Sequence, residues 1–127
     1  VHCHGWFSSV VPLYLKQVFA DDPIFRDVKV VVSLYDDAFS RPLDAAFGKK
    51  IASEGVKDEN IGILDGASYE NLFRFVMTYV DGIVIASHGV GDAVRKLAAE
   101  SGKPVLEDGD PTAPEFFDNY NRFYEAL

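Results

Sequence analysis

The residues whose types and spacing can do chemistry fall into four groups. The first is His2-Cys3-His4. Alternate residues of a strand share a face, so His2 and His4 are expected to point the same way. Two imidazoles are too few for a structural zinc, and His88 is the only other histidine. The preferred reading is a strand end with a buried, hydrogen-bonded histidine, and no metal is assigned. The second group is Asp36-Asp37. Adjacent carboxylates can hold Mg²⁺ with phosphate help, or they can close a turn, which is preferred here. Neighbours on one strand end do not face each other across a substrate, which excludes the carboxylate pair of a glycoside hydrolase. The third is Trp6, the sole tryptophan. It can stack on a sugar ring, but a tryptophan after a strand more often packs in the core. The fourth is Ser87, read first as a helix cap and second as a nucleotide or sugar contact. No nucleophile elbow and no Ser/His/Asp order points to a triad. No G-x-G-x-x-G follows a strand, because Gly89-Val90-Gly91 lacks the third glycine. No catalytic residue and no cofactor is assigned.

These residues need elements to position them. Val1–His4 reads as the end of a buried strand and Gly5 as a turn. An apolar helix is expected from about Ser8 to Phe19: capped by Ser9, the preferred reading, it has Pro12 in its first turn where it breaks no hydrogen bond, whereas a start at Trp6 would make Pro12 a kink. Val28–Leu34 is a β-branched run of the kind found in parallel strands buried on both faces. Leu43–Ser53 reads as a moderate helix, and Val56–Ala67 as a loop with Ile61, Ile63 and Leu64 tucked under it. Ser68 caps a helix whose Tyr69, Leu72, Phe73, Val76 and Val80 share one face. Ile83–Ala86 is a third strand. A further helix follows Ser87 and stops at Gly102 and Pro104. Val105-Leu106 is a short last strand. Thr112-Ala113-Pro114-Glu115 reads as a capping box for a final helix bearing Phe116, Tyr120, Phe123, Tyr124 and Leu127.

The order β-α-β-α-α-β-α-β-α predicts an α/β fold, a Rossmann-like parallel sheet with helices on both faces. In such sheets ligands bind outside the carboxyl ends of the strands. His4, Gly5 and Trp6 stand there, as do Tyr35, Asp36 and Ser87.

The 127 residues suit one domain, and a 48% hydrophobic composition is enough for a core. The net charge of -8 disfavours nucleic acid and anionic membrane as partners. No apolar run reaches the roughly 18 residues of a membrane span. A single cysteine forms no internal disulfide, and a cytoplasmic setting is expected. The chain opens inside a strand, so it is expected to be the later part of a larger domain.

The opening stretch VHCHGWFSSVVPLYLK resembles the H-C-x-x-W-x-x-x-x-V-P-L-Y-L-K signature of bacterial glycogen and starch synthases, glycosyltransferase family 5. The matching residues are His2, Cys3, Trp6, Val11, Pro12, Leu13, Tyr14, Leu15 and Lys16. VKVVVSLYDDAF and YVDGIVIAS are similar to later segments of the same family, in the same order. The resemblance implies part of the amino-terminal half of a GT-B fold. It also implies transfer of glucose from ADP-glucose to an α-1,4-glucan, with His4, Trp6, Tyr35, Asp36 and Ser87 as substrate-binding candidates.

The sequence departs from the family at telling places. The family commonly has Asp immediately before the tryptophan, where Gly5 stands. Its active-site His after the second strand matches Tyr35, whose hydroxyl, with a pKa of about 10, is a poor stand-in at neutral pH. Phe7 takes a position that is often His or Gln. The family's lysine-containing glycine motif would precede Val1, and its second domain would follow Leu127. Two expectations result: a piece of a glycosyltransferase that is inactive alone, or a single-domain homologue that binds glucan or a partner. Restoring Gly5→Asp and Tyr35→His in a two-domain parent is expected to raise activity.

Overall fold

The computed structural model describes residues 1–52, 55–57 and 59–127. Strand β1 is His2–His4. A 3₁₀ turn, Trp6–Ser8, leads to α1, a helical segment that is α over Val11–Leu13 and π over Tyr14–Val18. Then come β2 (Val31–Leu34), α2 (Phe47–Ala52), a 3₁₀ turn at Ile61–Leu64, and α3 (Tyr69–Val76). They are followed by β3 (Gly82–Ile85), α4 (Asp92–Glu100), β4 (Val105–Glu107) and α5 (Phe116–Glu125). The strands form one parallel sheet in the order β1-β2-β3-β4. Cys3 pairs with Val32, Val32 with Ile83, and Ile85 with Glu107.

Successive residues of a strand point to opposite faces. Cys3, Val32, Leu34, Ile83 and Ile85 face the main core with Leu13, Ile51, Leu72, Phe73, Val76, Val94 and Ala98 from the four helices between strands. Val31 and Val84 face the other way, against Phe123 and Leu127. Both faces therefore carry helices, with α5 alone on the second. Among the described residues no helix is long and apolar enough to cross a membrane.

Several local expectations hold. Ser68 caps α3, its Oγ accepting from the Asn71 N–H at 3.2 Å. Pro12 lies in the first turn of α1 and is buried. Gly102, with φ +71°, follows the end of α4. Of the three residues expected beneath the loop, Leu64 is fully buried and Ile61 half-buried, but Ile63 is 43% exposed.

Others are corrected. Ser9 does not cap α1: it is itself right-handed helical, whereas an N-cap has extended geometry, and Val10 takes the cap position without a side-chain bond. β2 starts at Val31 rather than Val28, because the Val30 N–H donates to the Asp81 carboxylate at 2.8 Å instead of to a neighbouring strand. α2 begins at Phe47 rather than Leu43, since Asp44 Oδ1 accepts the Ala46 N–H in a turn of its own; its expected end at Ser53 lies outside the described residues. α4 is capped at Gly91, not Ser87, whose Oγ accepts from the Gly89 N–H. Thr112 forms no capping box. Its N–H and hydroxyl both donate to Asp110 Oδ1, and α5 starts without a side-chain cap.

Phe73 is fully buried between α3 and the sheet, while Phe117 on α5 is 72% exposed. Phe73→Ala is expected to lower the unfolding free energy by about 3–5 kcal/mol. Phe117→Ala should stay within about 0.5 kcal/mol of the parent, both read by urea denaturation.

Candidate functional site

The sheet brings the chemistry-bearing residues to one edge. His4 closes β1, Tyr35 and Asp36 follow β2, and Ser87 follows β3. His4 Nδ1 is hydrogen-bonded to the Tyr35 hydroxyl at 2.8 Å. Asp36 is exposed and lies against Gly89, in the loop that Ser87 opens. The Arg95 guanidinium fixes that loop by donating to the carbonyls of Ser87 (3.1 Å) and Val90 (3.0 Å). The same group pairs with Glu107 at 2.9 Å, tying β3 to β4. Beside it is an open cavity of about 550 Å³, lined by Ser87, His88, Glu107, Asp108 and Asp110 among others.

Trp6 is organised separately. It is half-buried, its ring edge-on to Phe39 at 5.2 Å and to the exposed Phe7 at 5.7 Å. Phe39 meets Tyr69 at 5.4 Å, and Tyr69 meets Phe73 at 4.8 Å, so an aromatic series runs from the turn into the core. A polar arm runs beside it. Asp37 Oδ2 accepts the Trp6 N–H at 3.2 Å, and Asp37 Oδ1 accepts the Tyr69 hydroxyl proton at 2.6 Å. Gly5 has φ +67° and ψ 179°, a region that glycine alone enters readily. A Cβ there would lie 2.6 Å from Asp37 Oδ2. The site positions of the sequence reading did not include Asp37, Phe39 and Tyr69. Asp37 was visible as half of an acidic pair, whereas Tyr69 carried only the signal of a core residue on a helix face.

His2 and His4 point the same way, as the strand period requires, and their rings stack at 4.3 Å. His2 bridges two elements: Nδ1 meets the Tyr124 hydroxyl of α5 and Nε2 the fully buried Ser33 Oγ, each at 2.7 Å. Burial, then the neighbouring His4 and the terminal ammonium group, push the His2 pKa down to about 4. Burial also raises the Tyr69 and Tyr120 hydroxyls above the ordinary tyrosine value; Asp37 adds to the effect on Tyr69, and Asp108 to that on Tyr120. This edge therefore presents aromatic rings and hydroxyls beside acidic side chains. Such groups can stack on an apolar ring face and exchange hydrogen bonds with hydroxyls. Among the described residues no three His, Cys, Asp or Glu side chains come together as a metal site needs.

Residues 1–104 match the family model for the starch synthase catalytic domain. The chain belongs to that family. It is 29% identical to a glycogen synthase of Chlorobium limicola over 107 residues, 76% of this chain and 22% of the relative. A glycogen synthase of Aeromonas salmonicida is 26% identical over 136 aligned positions, covering 91% of this chain and 27% of the relative. One from Chlorobium phaeovibrioides is 42% identical over 36 residues, 28% of this chain. The chain thus spans about a quarter or less of the length of these relatives. No solved structure matches it at a significant level.

The glycosyltransferase signature is largely a folding signature here. Cys3, Pro12, Leu13 and Leu15 are buried. Lys16 donates to the Val28 carbonyl at 2.8 Å and pairs with Asp81 at 2.8 Å. Burial pushes the Asp81 carboxyl up, but the Lys16 and Val30 hydrogen bonds outweigh it and hold the group below its ordinary value. His2 gives a test. Its folded-state pKa is depressed, so below about pH 6.5 the unfolded chain takes up the proton first. The stability that His2 confers should be complete above that pH and lost as pH falls towards about 4. Urea midpoints followed through this window should decline less steeply for His2→Gln than for the parent.

Proposed function

We propose that this chain is part of a glycogen or starch synthase-type glycosyltransferase, the later part of the amino-terminal domain of a GT-B fold. When complete, the enzyme transfers glucose from ADP-glucose to an α-1,4-glucan in the cytoplasm. The observation that carries the reading is the first β-turn unit. The family's signature runs through it, and its two exposed or half-buried rings, His4 and Trp6, stand at the carboxyl end of the sheet with Tyr35 and Asp36 beside them. Aromatic rings and hydrogen-bonding side chains suit a glucan, which has apolar ring faces and many hydroxyl groups.

One observation favours a second reading, a homologue that keeps glucan binding without catalysis. Position 5 holds a glycine in a backbone shape closed to other residues, and Asp37 occupies the space a side chain there would need. Gly5→Asp therefore has a steric cost in this chain that the sequence comparison alone does not reveal.

An amide NMR titration tests both readings. A maltooligosaccharide is expected to shift resonances clustered at residues 4–7 and 35–37, and ADP-glucose alone to shift them less. Absence of any shift with either ligand, on a folded sample, overturns the glucan reading. The purified chain by itself should transfer no glucose from ADP-glucose. Measurable glucan elongation would show that the site is complete without the rest of a GT-B enzyme.

A further inference from the structure

The 3₁₀ turn Trp6–Ser8 begins without the usual local cap. Its N-cap is Gly5, which has no side chain to accept a hydrogen bond. The first N–H groups of any helical turn need an acceptor, and an aspartate at the cap ordinarily supplies it. Here the acceptor comes from another strand. Asp37, three residues beyond β2, reaches the Trp6 N–H with Oδ2 at 3.2 Å. We propose that Asp37 is the positioning residue of this site: its carboxylate caps the Gly5–Trp6 turn across the sheet and so sets where His4 and Trp6 stand.

Three features make this more than a single hydrogen bond. Gly5 and Asp37 are mutually dependent, because the carboxylate fills the space that a Cβ at position 5 would take. The carboxylate is aimed from its other side by the buried Tyr69, whose hydroxyl donates to Oδ1 at 2.6 Å and lies 3.4 Å from the Tyr35 carbonyl. Burial keeps that phenol protonated, so it remains a donor at any physiological pH. The ring of Phe39, two residues on, wedges between Trp6 and Tyr69. One short stretch, residues 37–39, thereby fixes the turn twice, through its backbone donor and through its ring. Asp36 differs from its neighbour: it is exposed and turned towards Gly89.

The inference deepens the glucan reading and rests on it for one arm of its test. Asp37→Asn keeps the shape and replaces the charged acceptor by a neutral amide, so the bond to the Trp6 N–H is weakened where the amide oxygen faces it and lost where the NH₂ does. In the folded chain, hydrogen exchange at the Trp6 amide should speed by about tenfold or more, the scale of a lost hydrogen bond to a charged acceptor. The Trp6 indole and His4 ring resonances should move, while the Val84 amide in β3 stays unchanged. The maltooligosaccharide Kd should rise by about tenfold for the folded molecules. Unchanged exchange and ring resonances overturn the proposal, since a merely structural role would lower the melting temperature and leave them in place. If the parent chain binds the sugar and Asp37→Asn binds it equally well, the positioning role fails and the glucan reading stands. If the parent binds no sugar, that reading fails, and the exchange and ring resonances still decide the role of Asp37. Should Asp37→Asn not fold, Tyr69→Phe keeps the ring packing and removes one of the two bonds. The same exchange change is expected there, and its absence counts against the proposal.

Discussion

Burial of α3 on the two central strands is the contact on which the rest of the molecule depends. Phe73, Leu72 and Val76 are buried against Val32, Leu34, Ile83 and Ile85. Fully burying each such side chain contributes about 1.5–3 kcal/mol. That packing brings the amino end of α3 beneath the end of β2, which is where Tyr69 meets Asp37. The site turn is therefore held from below by a residue whose position is set by the core. β1, at the sheet edge, has less of its own to hold it: the ladder to β2, the His2 hydrogen bonds and the Asp37 cap.

Much of this was legible in the sequence. The β-branched runs announced buried parallel strands, and the element order announced the sheet. The helix stops at Gly102 and the cap at Ser68 followed from local rules that tertiary contacts leave alone. What was not legible came from side chains whose partners are distant. Asp81 takes the donor that would have extended β2, and it is 51 residues away from Val30. Asp110 outcompetes the capping box because a nearer acceptor exists for both Thr112 donors. Ser9 and Ser87 have the right chemistry for caps, yet the chain enters each helix one to four residues later. The candidate site shows the same division. His4 and Tyr35 were named from their strand ends and are in contact. Asp37 carries no such local signal, because its two partners, Trp6 and Tyr69, lie 31 and 32 residues away.

The signature at the start of the chain divides in a similar way. Its members Cys3, Pro12, Leu13 and Leu15 are buried, Val11 is exposed, and Lys16 clamps the entrance to β2 against Asp81. Those positions answer to requirements of the fold. Gly5, Phe7 and Tyr35, near the carboxyl edge, are not among the nine residues that carry the resemblance. Membership of the family and retention of its chemistry are thus separate physical questions, decided by different residues of the same stretch.

At position 5 the two questions meet. An aspartate ahead of the tryptophan would need a backbone in an ordinary region and a free volume beside it. The present backbone is in a glycine-only region, and the volume holds the carboxylate of Asp37. Neither change alone is easily reversed. A side chain at 5 without loss of Asp37 collides, and loss of Asp37 without a side chain at 5 leaves the turn uncapped. Gly5 and Asp37 therefore fit each other: the carboxylate that follows β2 fills the space beside the glycine. In that arrangement the carboxylate is spent on two protein donors, Trp6 N–H and Tyr69 O–H, so it holds the turn rather than reaching a ligand. The rings of His4 and Phe7 are exposed beside that turn, and that of Trp6 is half-buried.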